Sequence, residues 1–92
     1  MSGAKFMMIQ LPRRTKVDEE KIRPVLDKAL DWIEISPNSW IVWTSSSPER
    51  WYSRIKKSFG EKTRIFICSI DASERHGWMP KEFWNFLNKD RA

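Results

Sequence analysis

Lys5-Phe6-Met7-Met8-Ile9-Gln10-Leu11 is an apolar run of strand length, closed by Pro12 and the basic pair Arg13-Arg14. Its continuity predicts a buried first strand. Helical spacing follows: Ile22, Val25, Leu26, Ala29 and Leu30 recur at i, i+3, i+4, i+7 and i+8, the stripe of a helix with one buried face. Thr15 or Asp18 supplies a cap, and Asp18-Glu19-Glu20 place negative charge at the positive end of the helix dipole. Pro24 predicts a local distortion, because an interior proline removes a hydrogen bond unless the helix begins only one turn before it. Asp31-Trp32-Ile33-Glu34-Ile35 then alternates with the two-residue period of a strand. Pro37-Asn38 offers turn chemistry before the β-branched and aromatic run Trp40-Ile41-Val42-Trp43-Thr44, so the two runs read as a hairpin. Ser47-Pro48-Glu49 has the cap, proline and acid of a helix start, Trp51, Ile55 and Phe59 repeat every fourth residue, and Gly60 ends the helix as a left-handed cap. Thr63 to Ile70 reads as a fourth strand and Asp71 to Gly77 as a polar loop. Met79-Pro80 opens a last short helix with Phe83, Phe86 and Leu87 on one side and Trp84 beside them.

Strand, helix, strand, strand, helix, strand and a terminal helix is an α+β order. Two helix-length crossovers joined by a hairpin fold most simply as a ferredoxin-like βαββαβ sandwich. Its antiparallel sheet is expected in the order 4-1-3-2, with two helices on one face and an extra C-terminal helix. A single domain over residues 1–92 is expected, with a flexible start at 1–4 and a helical extension at 78–89. Two helices cover one face of such a sheet, yet this sheet is apolar in both registers. Ile33 and Ile35 oppose Trp32 and Glu34, and Trp40 and Val42 oppose Ile41 and Trp43, so whichever set meets the helices, a tryptophan stays on the far side. Three coverings fit: the segment from Trp78 to Leu87, a second copy of the chain, or stacked nucleic-acid bases. Trp32, Trp40, Trp43, Trp78 and Trp84 form the expected interaction face.

Hydrophobic residues make up 40% of the chain and aromatics 13%, too rich for a disordered segment. The one cysteine, Cys68, lies in Ile65-Phe66-Ile67-Cys68 and reads as a small buried core residue in a reducing compartment. No run reaches the length that spans a bilayer and no signal-peptide core is evident, so a cytoplasmic protein without a membrane partner is expected. A net charge of +5 and a pI near 9.7 admit a polyanionic partner. Basic residues cluster at Arg13, Arg14 and Lys16 and again at Arg54, Lys56, Lys57, Lys62 and Arg64. Of these, Arg13, Arg14, Lys56, Lys57, Lys62 and Arg64 are candidate contacts to phosphates. Ser39-Trp40-Ile41-Val42-Trp43-Thr44 contains no glycine and so lacks the signature of the RNA-recognition motif. His76 and Cys68 alone make no zinc-ligand pattern, and no cofactor, metal or catalytic residue is expected. Asp31 and Asp71 are strand-end carboxylates whose expected roles are turn and cap formation.

Two stretches resemble small bacterial and phage proteins labelled SinR-like. One is Ser39-Trp40-Ile41-Val42-Trp43-Thr44 with the serine-rich lead into the second helix. The other is Arg64-Ile65-Phe66-Ile67-Cys68-Ser69-Ile70, followed by Gly77-Trp78 and a terminal helix with Trp84 and Leu87. That family is similar in fold to the small CRISPR-associated ferredoxin-like nucleases, and the resemblance implies the fold and sheet-mediated dimerisation. The nucleases hold a metal through an aspartate at the end of strand one, where this chain has Ile9-Gln10-Leu11-Pro12. Gln10 lacks the charge a carboxylate offers magnesium. The leading expectation is a non-enzymatic interaction module that forms a homodimer through its tryptophan face or meets another protein. A nucleic-acid-binding accessory protein comes next and a metal-dependent nuclease third.

Overall fold

Asp18 starts the first helix by accepting the Glu20 amide on its side chain at 2.9 Å, and Ser47 starts the second by accepting the Arg50 amide at 3.1 Å. Each cap satisfies an amide that the first helical turn leaves without a partner. In the computed structural model, which describes residues 3–60 and 62–91, the elements run β1 (Lys5–Gln10), α1 (Glu19–Leu26), β2 (Asp31–Ser36), β3 (Ser39–Thr44), α2 (Pro48–Phe59), β4 (Phe66–Ile70) and α3 (Lys81–Asn88). Residues 1 and 2 of the expected flexible start lie outside the described residues. The result is a small α+β domain whose four described strands form one open antiparallel sheet. The order is β2-β3-β1-β4. Counted from the β4 edge, the same neighbours are 4-1-3-2.

Three elements are shorter than the sequence pattern predicts. The α1 helix carries Pro24 in its sixth position and stops two residues later, since proline has no amide for the carbonyl one turn back. The chain then turns, and the Leu30 amide donates to the Trp43 carbonyl at 2.8 Å. Leu30 therefore leads into β2 instead of extending the helical stripe, and it is 67% exposed. β1 ends at Gln10 because the next amide, Leu11, donates to Asn38 across the turn at 2.9 Å and Pro12 has none to give. β4 pairs only with β1 and so begins at Phe66, opposite Gln10, rather than at Thr63.

Opposed residues in an antiparallel ladder share a face, and the registers divide the apolar residues between two cores. On the first face Met7, Ile9, Leu11, Trp40 and Val42 pack with Ile22 and Leu26 of α1 and Trp51 and Ile55 of α2. Trp51 is buried whole, and its indole Nε1–H donates to Thr44 Oγ1 at 3.0 Å, so the ring enters the core without an orphaned donor. On the second face Ile41 is buried with Phe86 and Leu87 of α3, flanked by Phe6, Ile33, Ile35, Ile70, Phe83 and Trp84. The chain's own terminal segment thus covers part of the second face. It lies toward β2 and β3.

One residue ties the hairpin to the β1–α1 loop. Asn38 has φ +64°, a left-handed conformation that asparagine tolerates better than most residues. Its Nδ2 donates to the carbonyls of Pro12 and Thr15, each at 2.7 Å. Asn38→Gly keeps the backbone conformation but removes these bonds, leaving the Thr15 carbonyl without this donor while the Pro12 carbonyl keeps the Thr15 amide at 3.0 Å. The expected cost is about 1–3 kcal/mol by urea denaturation; a loss below about 0.5 kcal/mol would mean that the loop is held by its backbone alone.

Candidate functional site

The five tryptophans expected to share one face do not. Trp32 and Trp40 lie on the first face against α1, with Trp40 only 2% exposed. Trp43 is on the second face and half-buried, because neighbours along a strand point to opposite sides. Its ring is 4.8 Å from Phe6. Trp84 is half-buried beside Ile41, its ring edge-on to Phe83 at 5.3 Å. Trp78 is 89% exposed, and it shares with Trp84 a depression of about 430 Å³ beside the 71–77 loop. The expected interaction face is thus dispersed, and Trp40 belongs to the core.

What holds the second cover in place is a contact that sequence reasoning missed. Arg91 lies between Phe6, Trp43 and Phe86, its guanidinium carbon 5.3, 5.4 and 4.7 Å from the three ring centres. Its Nη2 donates to Asp31 Oδ2 at 2.9 Å and its Nη1 to the Phe86 carbonyl at 2.7 Å. A planar guanidinium suits this place because its faces stack on rings while its edges donate. Asp31 also accepts the Trp32 amide at 3.0 Å and faces Lys89 at 3.4 Å, so its work goes beyond the expected turn and cap. No local signal points to the pair, whose partners lie 60 residues apart.

The other candidate groups are occupied locally. Gln10 Oε1 accepts from the Ser39 hydroxyl. Asp71 accepts from the Ser73 backbone amide at 2.9 Å, and Ser73, through that amide first and its hydroxyl second, holds the carboxyl below its ordinary 3.8. That turn contact is in place at neutral pH and is lost as pH falls through the lowered value. His76 is exposed, and among the described residues no three of His, Cys, Asp and Glu gather where they could hold a metal ion. Cys68 is exposed, contrary to its expected burial. It sits on the second face of an edge strand, opposite half-buried Met8, while α3 covers the other side of that face.

That uncovered β4 side carries the surface with the most chemistry. Phe66 is 63% exposed. It lines a depression of about 280 Å³ together with Arg13, Arg64, Gln10 and Ile65, so the fold joins one member of each basic cluster to an open aromatic ring. Arg14, Lys57 and Lys62 are exposed and do not line it. Lys56 instead lies 5.8 Å from the Tyr52 ring. Arg54 stacks on Trp51 at 4.8 Å and its buried Nη1 has no hydrogen-bond partner among the described residues. No helix among the described residues is long and apolar enough to cross a membrane. Set beside known proteins, the chain matches no family model, no curated protein and no solved structure.

The tail contact has a measurable weight. Arg91, whose side chain is 11% exposed, loses its hydrogen bonds to Asp31, Phe86 and Lys89 and its ring contacts on Arg91→Ala, with an expected destabilisation of about 2 kcal/mol. Lys89 is 63% exposed, so Lys89→Ala is expected to change stability by less than about 0.5 kcal/mol. Urea midpoints of the two variants compare them directly; equal effects would show that only the net charge near Asp31 matters.

Proposed function

We propose that this protein is a non-enzymatic binding module that takes single-stranded nucleic acid on the β4 side of its second sheet face. One observation carries the reading: Phe66 is open to solvent in the same depression as Arg13 and Arg64. A base stacks on an aromatic ring whatever its identity, and flanking guanidinium groups neutralise the phosphates on either side. An acidic protein would meet the arginines but would have no use for the ring. The net charge of +5 adds a long-range attraction for the same partner. The βαββαβ order, with α1 and α2 packed on one face, supports a ferredoxin-like assignment. It is also compatible with kinship to the SinR-like proteins. Sheet-face binding is a common use of such topologies.

Fluorescence anisotropy with a labelled single-stranded oligonucleotide tests the reading. Binding is expected at low salt, with log K falling as log salt rises. Arg13→Ala and Arg64→Ala should each reduce that slope by about 0.7. Phe66→Ala should weaken binding by about 1–3 kcal/mol per stacked base. Absence of binding at low salt, or binding indifferent to Phe66, would remove the proposal.

Self-association is a second reading, and its site differs from the tryptophan face expected from sequence. The two sheet edges are unlike. β2 carries Asp31 and Glu34, has a register irregularity between Glu34 and Ser36, and meets α3, which are features that discourage edge pairing. β4 is Phe66-Ile67-Cys68-Ser69-Ile70, without charge, proline or bulge, and no backbone hydrogen bond joins its outer side to another described residue. An antiparallel copy centred on Cys68 would set Phe66 opposite Ile70 and leave the Phe66 ring on the sheet face. Sedimentation is expected to show a dimer that Cys68→Lys dissociates, since like charges would then stand directly opposite one another. A monomer at every accessible concentration would sink this reading and leave nucleic-acid binding untouched.

A further inference from the structure

A further cleft lies on the other face and serves neither reading. It encloses about 500 Å³ between α1 and the β2 side of the sheet. Ile22, Leu26 and Trp40 form its buried apolar part, and the half-buried Trp32 ring and the exposed Glu19 and Glu34 line the rest. Glu34 stands opposite Trp40 in the β2–β3 register, so a carboxylate is held beside the apolar floor by the sheet itself. The Trp32 ring is fixed as well, its Nε1–H donating to Asp27 Oδ1 at 2.9 Å.

No ion pair within 4 Å joins Glu19, Glu34 or Arg23 to another described residue. The Arg23 guanidinium lies 5.9 Å from the centre of the Trp32 ring, at the outer limit of a cation–π contact. A weakly held internal cation thus marks a ring face that attracts positive charge, next to two carboxylates that form no ion pair with another described residue. An anion would find one arginine against two carboxylates. An uncharged apolar molecule would use the floor and strand the carboxylates.

We propose that the cleft binds an organic ammonium, a quaternary or N-alkylated amine, whose alkyl groups rest on Trp32, Ile22 and Trp40 while Glu34 and Glu19 neutralise its charge and Arg23 is displaced from the ring. Cation–π attraction and partial desolvation make an alkylated ammonium a better occupant than a bare metal ion or a strongly hydrated primary amine. The site shares no lining residue with the Phe66 depression, so the two proposals stand or fall separately.

The test uses choline and its uncharged carbon isostere as probes, followed by the indole N–H resonance of Trp32, which Trp32→Phe identifies. Choline is expected to shift that resonance saturably and the isostere to leave it unmoved. Glu34→Gln, at an exposed position where folding is safe, should weaken choline roughly two- to fivefold, the range of an exposed ion pair. Arg23→Ala should tighten it roughly two- to fivefold by vacating the ring, an effect that a purely structural Arg23 would not produce. Equal binding of choline and the isostere, weaker binding in Arg23→Ala, an equal shift at exposed Trp78, or no shift at all would each overturn the proposal.

Discussion

Strand β3 presents Trp40 and Val42 to one side and Ile41 and Trp43 to the other, and three of these four side chains are at most 4% exposed. A central strand that is apolar on both sides needs a cover on each. The chain builds the first from α1 and α2 and the second from α3. Burial of this kind contributes roughly 1.5–3 kcal/mol for each large side chain, far more than any surface ion pair in the molecule. The second cover depends on how the tail returns across β3, and a largely buried guanidinium, Arg91, is found at its end.

The position of the second cover decides what remains for function. α3 lies toward β2 and β3, while Trp40 is buried under the helices of the first face. The outer part of β4 stays uncovered, and Phe66 and Cys68 meet solvent there. Two arginines distant in sequence reach the same place, Arg13 because β1 ends beside it and Arg64 because it precedes β4. On the opposite face, α1 ends early and leaves space beside β2, and the resulting cleft combines a fixed indole with carboxylates that form no ion pair with another described residue. Surfaces with binding chemistry therefore lie where the covers stop.

Local chemistry made much of this fold legible. The two helix caps, the four-residue spacing of Trp51, Ile55 and Phe59, the hairpin at Pro37-Asn38 and the apolar runs of all four strands reappear as elements. Each rests on interactions within a few residues. Errors arose where a distant partner intervened. Leu30 left the α1 stripe because the Trp43 carbonyl took its amide, and β4 lost its first three residues because β1 had already ended. Cys68 lies in an apolar run yet is exposed, because an apolar run on an edge strand is buried only where something lies over it.

The sequence by itself determined that there are two apolar faces, since period-two alternation places side chains on both sides of every strand before any tertiary contact exists. It also determined the sites of helix initiation, because a cap and its amide are two or three residues apart. Only the tertiary structure decided which segment covers the second face, how far that cover reaches, and hence that Phe66 is open while Trp40 is not. Those outcomes depend on contacts such as Arg91 with Asp31, 60 positions apart, whose formation is a property of the whole packed chain and leaves no trace in its local pattern.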